Sequence, residues 1–291
     1  MPLTAIILVV ISTFIHAGWN FVVRSQQQSY TFLRITLFIS VVGVGPALLG
    51  EFLDTPFSAQ VWLYLVVAGI FQALYYLGLT YGYRAGDFTV VYPVARALPI
   101  LLVALADVAR GKSPAPLAWL GMVAVSIGCV IVPLKSIQEF HWSHYWNRAM
   151  IWIGVTACGV VGYTVVDKAA AELIAPGPLT AARYGVWETV FSAFWFWLIL
   201  RVSGQPLGGL GDWSSWKWPV IGAFGMFGAY WLILWSYQLS PQASYVLAWR
   251  QLSIVIGVAV GATLFNEPAR MLRLSASLVI ALGVACIALV G

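Results

Sequence analysis

The chain has 291 residues, of which 61% are hydrophobic and 9% are charged, and its mean hydropathy is +0.89. This composition leaves too few polar groups to cover a soluble globular protein of that length, so it excludes the soluble classes and predicts a membrane protein. The net charge of +5 is spread along the chain without a basic block, which argues against nucleic acid as a partner.

Ten apolar runs follow one another along the chain, each long enough to cross the hydrocarbon core as a helix of roughly 20 residues. The strands of a membrane barrel would instead alternate apolar and polar residues over about ten positions. The predicted fold class is therefore an all-α polytopic membrane protein with ten transmembrane helices. We place them at residues 3–23, 30–50, 59–82, 87–109, 116–134, 148–167, 178–200, 214–238, 241–265 and 268–290.

The three cysteines all lie within predicted spans, and their positions match no disulfide framework and no metal-ligand spacing. They are Cys129, Cys158 and Cys286. We therefore expect no metal and no cofactor.

Most of the loop lysines and arginines lie in or beside the connections that follow the odd-numbered spans. Because these residues favour the cytoplasmic side of a membrane, the distribution predicts that those connections are cytoplasmic and that both termini lie outside.

Two parts of the chain match each other at three groups of positions, each group without an internal gap, which indicates an internal repeat. The pairs are Arg96 with Arg250, Pro114 with Pro268, Arg24 with Lys168, Gly18-Trp19 with Gly162-Tyr163, Thr31 with Thr180 and Arg34 with Arg183. The predicted organisation is a first five-helix repeat at 1–134, an interfacial linker at 135–147 and a second repeat at 148–291. Because each repeat has an odd number of helices, the second copy is inverted in the membrane, as in many secondary transporters and some channels.

Three motifs resemble the EamA-type branch of the drug/metabolite transporter superfamily. They are the segment from Tyr83 to Arg96 (YRAGDFTVVYPVAR), His16-Ala-Gly-Trp-Asn20 and Leu264-Phe-Asn-Glu-Pro268. The resemblance implies a ten-helix transporter of small organic solutes, with a central cavity lined by the first four helices of each half. It also implies peripheral fifth and tenth helices.

The chain departs from that family pattern after the fourth span. It reads Arg110-Gly-Lys-Ser-Pro114 where such proteins usually carry Gly-Glu, and only the second copy keeps an acid there, Glu267. Many relatives also have cytoplasmic termini, which is the reverse of the orientation that the charges predict.

Four ionisable residues fall deep within predicted spans, namely Arg96, Arg250, Glu188 and His16. Such groups normally face protein or a wet cavity, because a charge in hydrocarbon is costly. Arg34 and Arg183 occupy the first turns of their helices, where a long side chain can reach the headgroups, so we expect them to do so.

Two interpretations of Arg96 stay open. It pairs permanently with Glu188, or bonds carbonyl groups freed by Pro93 and Pro99. Alternatively, Arg96 and Arg250 together hold an anionic group of a substrate. Two deep arginines against one deep glutamate leave an unpaired positive charge, which favours the second interpretation.

Further binding candidates are polar or amphipathic residues near the two arginines. Tyr92 shares a helical face with Arg96, and Glu188 and His16 are the candidates for coupling transport to protons. The remaining candidates are Gln72, Tyr76, Trp19, Asn20, Tyr163, Trp187, Tyr230, Tyr245 and Trp249.

The predicted function is secondary active transport of a small anionic or zwitterionic metabolite, such as an amino acid or organic acid. We expect an exporter or exchanger, monomeric, in a bacterial inner membrane. The alternatives are a passive channel and a translocator of lipids or drugs. No HExxH or GxSxG pattern occurs, which argues against an enzyme.

Overall fold

The computed structural model describes residues 1–24, 29–85, 88–132, 134, 148–204, 211, 213–256, 258 and 270–290. Within these ranges, the side chains of residues 20–24, 29, 82–85, 88–96, 148, 149, 213, 214 and 270 lie outside the description. The predicted linker at 135–147 and the motif around Glu267 also fall outside it.

The described residues are helical and contain no β-strand, as the sequence predicts. The helices are α1 (Leu3–Arg24), α2 (Ser29–Leu53), α3 (Ala59–Ala85), α4 (Phe88–Ala109), α5 (Pro116–Ile131), α6 (Arg148–Ala171), α7 (Pro178–Val202), α8 (Lys217–Leu239), α9 (Ala243–Trp249) and α10 (Arg270–Ala288). A turn of 3₁₀-helix, Trp213–Trp216, precedes α8, and after a turn at 250–251 the chain is helical again at 252–256.

Six of these helices are long and apolar enough to cross a membrane, namely α2, α3, α6, α7, α8 and α10; the described parts of the other four are shorter and also apolar. Large apolar side chains cover the outside of the bundle, among them Phe14, Phe52, Leu120, Ile151 and Phe224. In water this surface would be unfavourable, whereas in a bilayer it meets lipid. The chain is an integral membrane protein.

Local sequence explains several helix ends. Helices α5 and α7 begin at Pro116 and Pro178, and proline suits the first turn because it lacks an N–H group that would find no partner there. Gly111 and Gly204, with φ of 74° and 65°, follow the C-termini of α4 and α7. A residue with a side chain rarely adopts that left-handed conformation.

The helices pack mainly as antiparallel pairs, and glycines allow the closest approaches. In the α5–α10 pair, a Cβ atom on Gly121 would lie 2.5 Å from the carbonyl oxygen of Gly283, and one on Gly283 would lie 2.6 Å from that of Gly121. In the α3–α6 pair, Gly78 faces Thr156 and Gly159 faces Tyr75. In both pairs, lower numbers on one helix meet higher numbers on the other.

The pairs α1–α8 and α2–α7 are also antiparallel. The Ser12 hydroxyl on α1 donates to the carbonyl of Ala229 on α8 at 2.7 Å, while Trp19 packs on Gly225. On α2, Gly43 faces Val186 of α7 and Gly50 faces Arg183.

Helix α7 runs parallel to α3, and the two are joined by aromatic contacts that advance together along both helices. Trp62 meets Trp187 with 5.0 Å between ring centroids, and Tyr76 meets Phe196 at 5.8 Å.

Arg183 is buried against protein, so the prediction that it reaches the headgroups is wrong. Its guanidinium lies 3.4 Å from Glu51 and 3.8 Å from Asp54, and it donates to the carbonyls of Gly50 and Thr55. The C-terminus of α2 thus supplies both carboxylates and unpaired carbonyls, which a cation stabilises.

The same prediction is wrong for Arg34, which is also buried. Its guanidinium lies 4.8 Å from the Tyr30 ring centroid and 5.7 Å from that of Trp216, and 3.5 Å from the carbonyl of Ser215. Arg183 of α7 thus contacts the end of α2 and the residues that follow it, whereas Arg34 of α2 contacts the residues just before α8.

Candidate functional site

A cluster of tyrosines and charged residues lies inside the helical bundle, where α6, α7 and α8 meet the end of α9. We call it the tyrosine–acid cluster and define it as Tyr163, Asp167, Tyr184, Glu188, Tyr230, Tyr237 and Arg250. Helical spacing places these side chains on shared faces. Asp167 follows Tyr163 by four residues on α6, and Glu188 follows Tyr184 by four residues on α7.

Asp167 is 1% exposed and accepts hydrogen bonds from two tyrosines. The Tyr184 hydroxyl donates to Oδ1 at 3.0 Å, and the Tyr230 hydroxyl donates to Oδ2. Each carboxylate oxygen thus has one donor, and the two donors come from two other helices.

Glu188 is also 1% exposed, but its contacts are unequal. Its Oε1 atom lies 3.3 Å from the Tyr230 hydroxyl. Its Oε2 atom is buried and has no hydrogen-bond partner within the described part of the chain. Tyr230 therefore stands between the two carboxyl groups.

Arg250 follows the last residue of α9, just where the helical hydrogen-bonding changes to turns. Its backbone N–H still donates to the carbonyl of Val246 at 3.1 Å. The hydroxyls of Tyr163 and Tyr237 lie around its guanidinium, and Asp167 is within electrostatic range. The side chain as a whole is partly accessible, whereas its Nη1 atom is buried without a hydrogen-bond partner among the described residues.

A series of ring contacts leads from α2 through α3 to the cluster. Tyr76 stacks on Phe32 with 5.2 Å between centroids and lies 5.6 Å from Tyr75. Tyr75 then meets Tyr163 at 5.9 Å, and Tyr163 meets Tyr230 at 5.8 Å. The structure thus brings the predicted residues Tyr76, Tyr163 and Tyr230 together with Arg250 and Glu188.

Gln72 and Trp249 lie beside this group. Gln72 is buried one turn before Tyr76 on α3. Trp249 immediately precedes Arg250, and its buried Nε1 atom has no hydrogen-bond partner in the part of the chain that is described.

Three other predicted residues make contacts elsewhere. Tyr245 accepts a hydrogen bond from the backbone N–H of Ala115 at 3.1 Å, so its hydroxyl caps the start of α5. Trp187 packs on Trp62, as described above. The Trp19 indole donates to Nδ1 of His16 at 3.1 Å, which forms a local pair on α1.

The side chains of Arg96, Tyr92 and Asn20 lie outside the described set. The predicted pairing of Arg96 with Arg250, and its alternative with Glu188, therefore remain predictions. Helices α4 and α9, which carry the two arginines, do pack against each other.

Sequence reasoning missed Asp167, Tyr184 and Tyr237. Asp167 was placed at the last position of a span ending at 167, whereas α6 continues to Ala171 and buries it. The count of one deep acid is therefore wrong, since Asp167 and Glu188 lie in the same cluster. The available signal was the spacing of four residues between Tyr163 and Asp167.

Polar contacts also tie together the helix ends next to the cluster. Asp107, at the end of α4, accepts from the backbone N–H groups of Ala243 and Ser244 at 3.3 and 2.9 Å, which caps α9. Lys168 donates to the carbonyl of Tyr237 at 2.9 Å and pairs with Glu172 at 3.1 Å. These residues fix the ends of α6 and α8 and the start of α9.

The described residues contain no group of three His, Cys, Asp or Glu side chains that could hold a metal ion. The acids of the cluster are bonded to tyrosines instead.

Comparison with known proteins is consistent with this architecture. One solved crystal structure superposes with a TM-score of 0.65 at 15% sequence identity, covering 99% of this chain and 98% of that chain, which shows a shared fold. No curated protein sequence matches the chain. The family model of the EamA-like transporter family matches residues 3–134 and confirms the resemblance predicted from the motifs. The likeness to the EamA-like transporter family thus covers residues 3–134, somewhat less than half of the chain, and six of the described helices are long and apolar enough to cross a membrane.

Proposed function

We propose that the protein is a secondary active transporter of a small zwitterionic or anionic organic metabolite and works by alternating access. The observation that carries the proposal is the partly accessible Arg250, whose Nη1 atom has no hydrogen-bond partner among the described residues, beside two buried carboxyl groups. A membrane interior tolerates such groups where they serve a substrate or ion pathway.

The packing of the helices supports an inverted repeat. If each of α1–α5 is exchanged with its counterpart in α6–α10, the α3–α6 pair becomes the α8–α1 pair. The pairs α2–α7, α4–α9 and α5–α10 map onto themselves. The reciprocal contacts of Arg34 and Arg183 obey the same exchange. Two such units about an in-plane axis can open a central site to either side in turn.

The charges of the cluster refine the expected substrate. Arg250 can hold a carboxylate by paired hydrogen bonds. The carboxylate of Asp167 provides negative charge for an ammonium group on the same molecule. This arrangement favours a zwitterion, such as an amino acid, over a simple anion, and the anion stays as the second possibility. Arg96 is proposed as a second cation from the symmetry-related helix.

We propose that the protein is an exporter or exchanger in a bacterial inner membrane. We also propose that it is monomeric, because the duplication supplies both halves of the transporter. A passive channel would show flux that neither saturates nor increases with solute on the opposite side. A lipid or drug translocator would need a lateral opening and would respond to apolar cations rather than to amino acids.

The test is thermal stability of the detergent-solubilised protein against separate panels of amino acids, organic acids and cationic drugs. A solute that binds only the folded protein raises its melting temperature by mass action. We expect amino acids to stabilise the wild type, by about 2.7 kcal/mol at a hundred times Kd. Arg250→Gln should abolish the effect.

The matched control is Arg201→Gln, which removes an exposed arginine from the end of α7. This variant should respond like the wild type. Stabilisation by cationic drugs alone, with Arg250→Gln responding normally, would contradict the proposed substrate class. Saturable exchange of the stabilising solute in proteoliposomes would then separate a transporter from a channel.

A further inference from the structure

The two buried carboxyl groups and their tyrosines form a hydrogen-bonded unit whose hydrogens can be counted. Among the described residues there are three contacts, namely Tyr184 with Asp167, Tyr230 with Asp167, and Tyr230 with Glu188. Each contact between two oxygens needs one hydrogen, and each tyrosine hydroxyl supplies one. Two hydroxyls therefore satisfy two of the three contacts.

The third hydrogen must come from a carboxyl group. If both acids were ionised, Tyr230 could donate to only one of them, and its oxygen would face the other carboxylate without a hydrogen between them. A contact of that kind between buried oxygens is unfavourable. If both acids were protonated, the extra hydrogen would have no acceptor among these three contacts. One proton on the pair satisfies all three.

The geometry also indicates where that proton resides. Asp167 accepts from two hydroxyls and lies within electrostatic range of Arg250, and both interactions favour its ionised form. Within the described part of the chain, Glu188 has one hydrogen-bonding contact, with the Tyr230 oxygen, to which a protonated carboxyl can donate. The proton therefore lies on Glu188, which donates to Tyr230, and Tyr230 donates to Asp167.

In the described bundle, the titratable groups that face Glu188 come from three other helices and from its own. They are Asp167 on α6, Tyr230 on α8, Tyr76 on α3 and, on its own helix, Tyr184. The negative charge of Asp167 opposes ionisation of Glu188. Arg250 faces Asp167 from the end of α9.

We propose that Asp167, Tyr230 and Glu188 form a proton-binding site that holds one exchangeable proton for the pair. Rotation of the Tyr230 hydroxyl allows the proton to move, because Asp167 can donate to Tyr230 while Tyr230 donates to Glu188. The site makes Asp167 the partner of Glu188 in coupling. His16, whose Nδ1 accepts from Trp19 on α1, stays a separate candidate for coupling.

The experiment is infrared spectroscopy of the full-length, detergent-solubilised protein at neutral pH, in H₂O and D₂O. A protonated carboxyl has a C=O stretching band that is separate from carboxylate absorption and shifts in D₂O. We expect such a band in the wild type and its loss in Glu188→Gln, whose amide N–H donates to Tyr230 instead. Asp54→Asn, which changes an exposed acid, should keep the band.

Asp167→Asn tests whether the proton is shared. The asparagine N–H then donates to Tyr230, Tyr230 donates to Glu188, and Glu188 is satisfied as a carboxylate. We therefore expect the band to disappear in this variant as well. Its survival there would mean that Glu188 is an isolated protonated acid and would overturn the proposal, as would a band that survives Glu188→Gln or is absent from the wild type.

Glu188→Gln preserves the size of the side chain and its contact, so it decides the question even if Asp167→Asn does not fold. The inference rests on the proposed transport function for its role in coupling. The band is measured without any solute, however, so a failure of the thermal-stability panel leaves it unchanged. Conversely, absence of the predicted infrared band would not contradict the proposal that a solute binds to Arg250.

Discussion

The α5–α10 interface and the junction of α6, α7 and α8 hold helices together in two different ways. At the first, Gly121 and Gly283 bring backbone against backbone, and the neighbouring contacts are with Val125, Ile280 and Ile287. At the second, buried carboxyl groups and tyrosine hydroxyls form a connected set of hydrogen bonds. Both interfaces lie in the same bundle.

The difference shows that helix association alone does not require the polar cluster. Lipid tails are as apolar as leucine, so helices in a bilayer associate through close packing of small residues, and α5–α10 does so with glycine. Buried acids add a desolvation cost that such packing avoids. Their presence at one interface and not the other therefore supports a role in function, and the two interfaces should respond differently to substitution.

The largest effect is expected at the glycine interface. Gly121→Leu places a side chain where even a Cβ atom would lie 2.5 Å from a backbone oxygen, and a backbone cannot move aside as a flexible side chain can. We expect a loss of more than about 3 kcal/mol, above the usual cost of overpacking. The yield of monodisperse protein in size-exclusion chromatography measures it.

The matched control is Gly154→Leu on α6, which is exposed and has no heavy atom within 4 Å of the added Cβ. It should yield monodisperse protein like the wild type. Equal behaviour of the two variants would show that α5 and α10 do not pack as closely as the structure indicates.

An intermediate effect is expected for the donors of the polar cluster. Tyr184→Phe removes the hydroxyl that donates to Asp167 at 3.0 Å and leaves a buried carboxylate oxygen without that donor. The expected cost is about 1–3 kcal/mol, which thermal unfolding in detergent measures. Tyr64→Phe removes a tyrosine hydroxyl from an exposed hydrogen bond and serves as control, with a change under about 1 kcal/mol.

A smaller loss in Tyr184→Phe than in Tyr64→Phe would mean that the cluster does not need its donors. The buried acids would then not be held as a connected unit, and the count of hydrogens that places one proton on them would fail. Solute-induced stabilisation should weaken in Tyr184→Phe as well, because Asp167 lies between this tyrosine and Arg250.

The helices could be predicted from sequence because each one is a continuous apolar run, which carries its own signal without reference to the rest of the chain. Arg250, Glu188, Tyr163 and Tyr76 were recognisable for a related reason, since polar groups are conspicuous within such runs. The internal repeat that we propose was predicted from positions that share residue types, such as Arg34 and Arg183.

Contacts that depend on the packing of distant helices could not be predicted. The sequence around Arg183 in α7 contains no sign that its guanidinium pairs with Glu51 and Asp54 at the end of α2. We therefore expected its side chain to reach the headgroups. Asp167 lies at the last position of the predicted span 148–167, and nothing in the sequence marks the further turn of α6 that buries it. Tyr245 shares a helix with Arg250, yet its hydroxyl caps α5.

The smallest effect on stability is expected for Glu188→Gln, and it is the most informative. The amide N–H takes over the contact with Tyr230, so the melting temperature should change by less than the equivalent of about 1 kcal/mol. Transport should continue but lose the limb of its pH profile that reports titration of the carboxyl pair, because glutamine cannot release a proton. Solute exchange in proteoliposomes across a range of pH, with Asp54→Asn as control, measures this.

Retention of the wild-type pH profile in Glu188→Gln would show that the proton on the carboxyl pair is not coupled to transport. This conclusion would hold even if the infrared band places that proton on Glu188. A flat profile in an otherwise active and stable variant would instead separate the two interfaces by function. The glycine interface would then be required for the fold and neutral to protons, whereas the tyrosine–acid cluster would tolerate a neutral side chain in the fold and require an ionisable one for coupling.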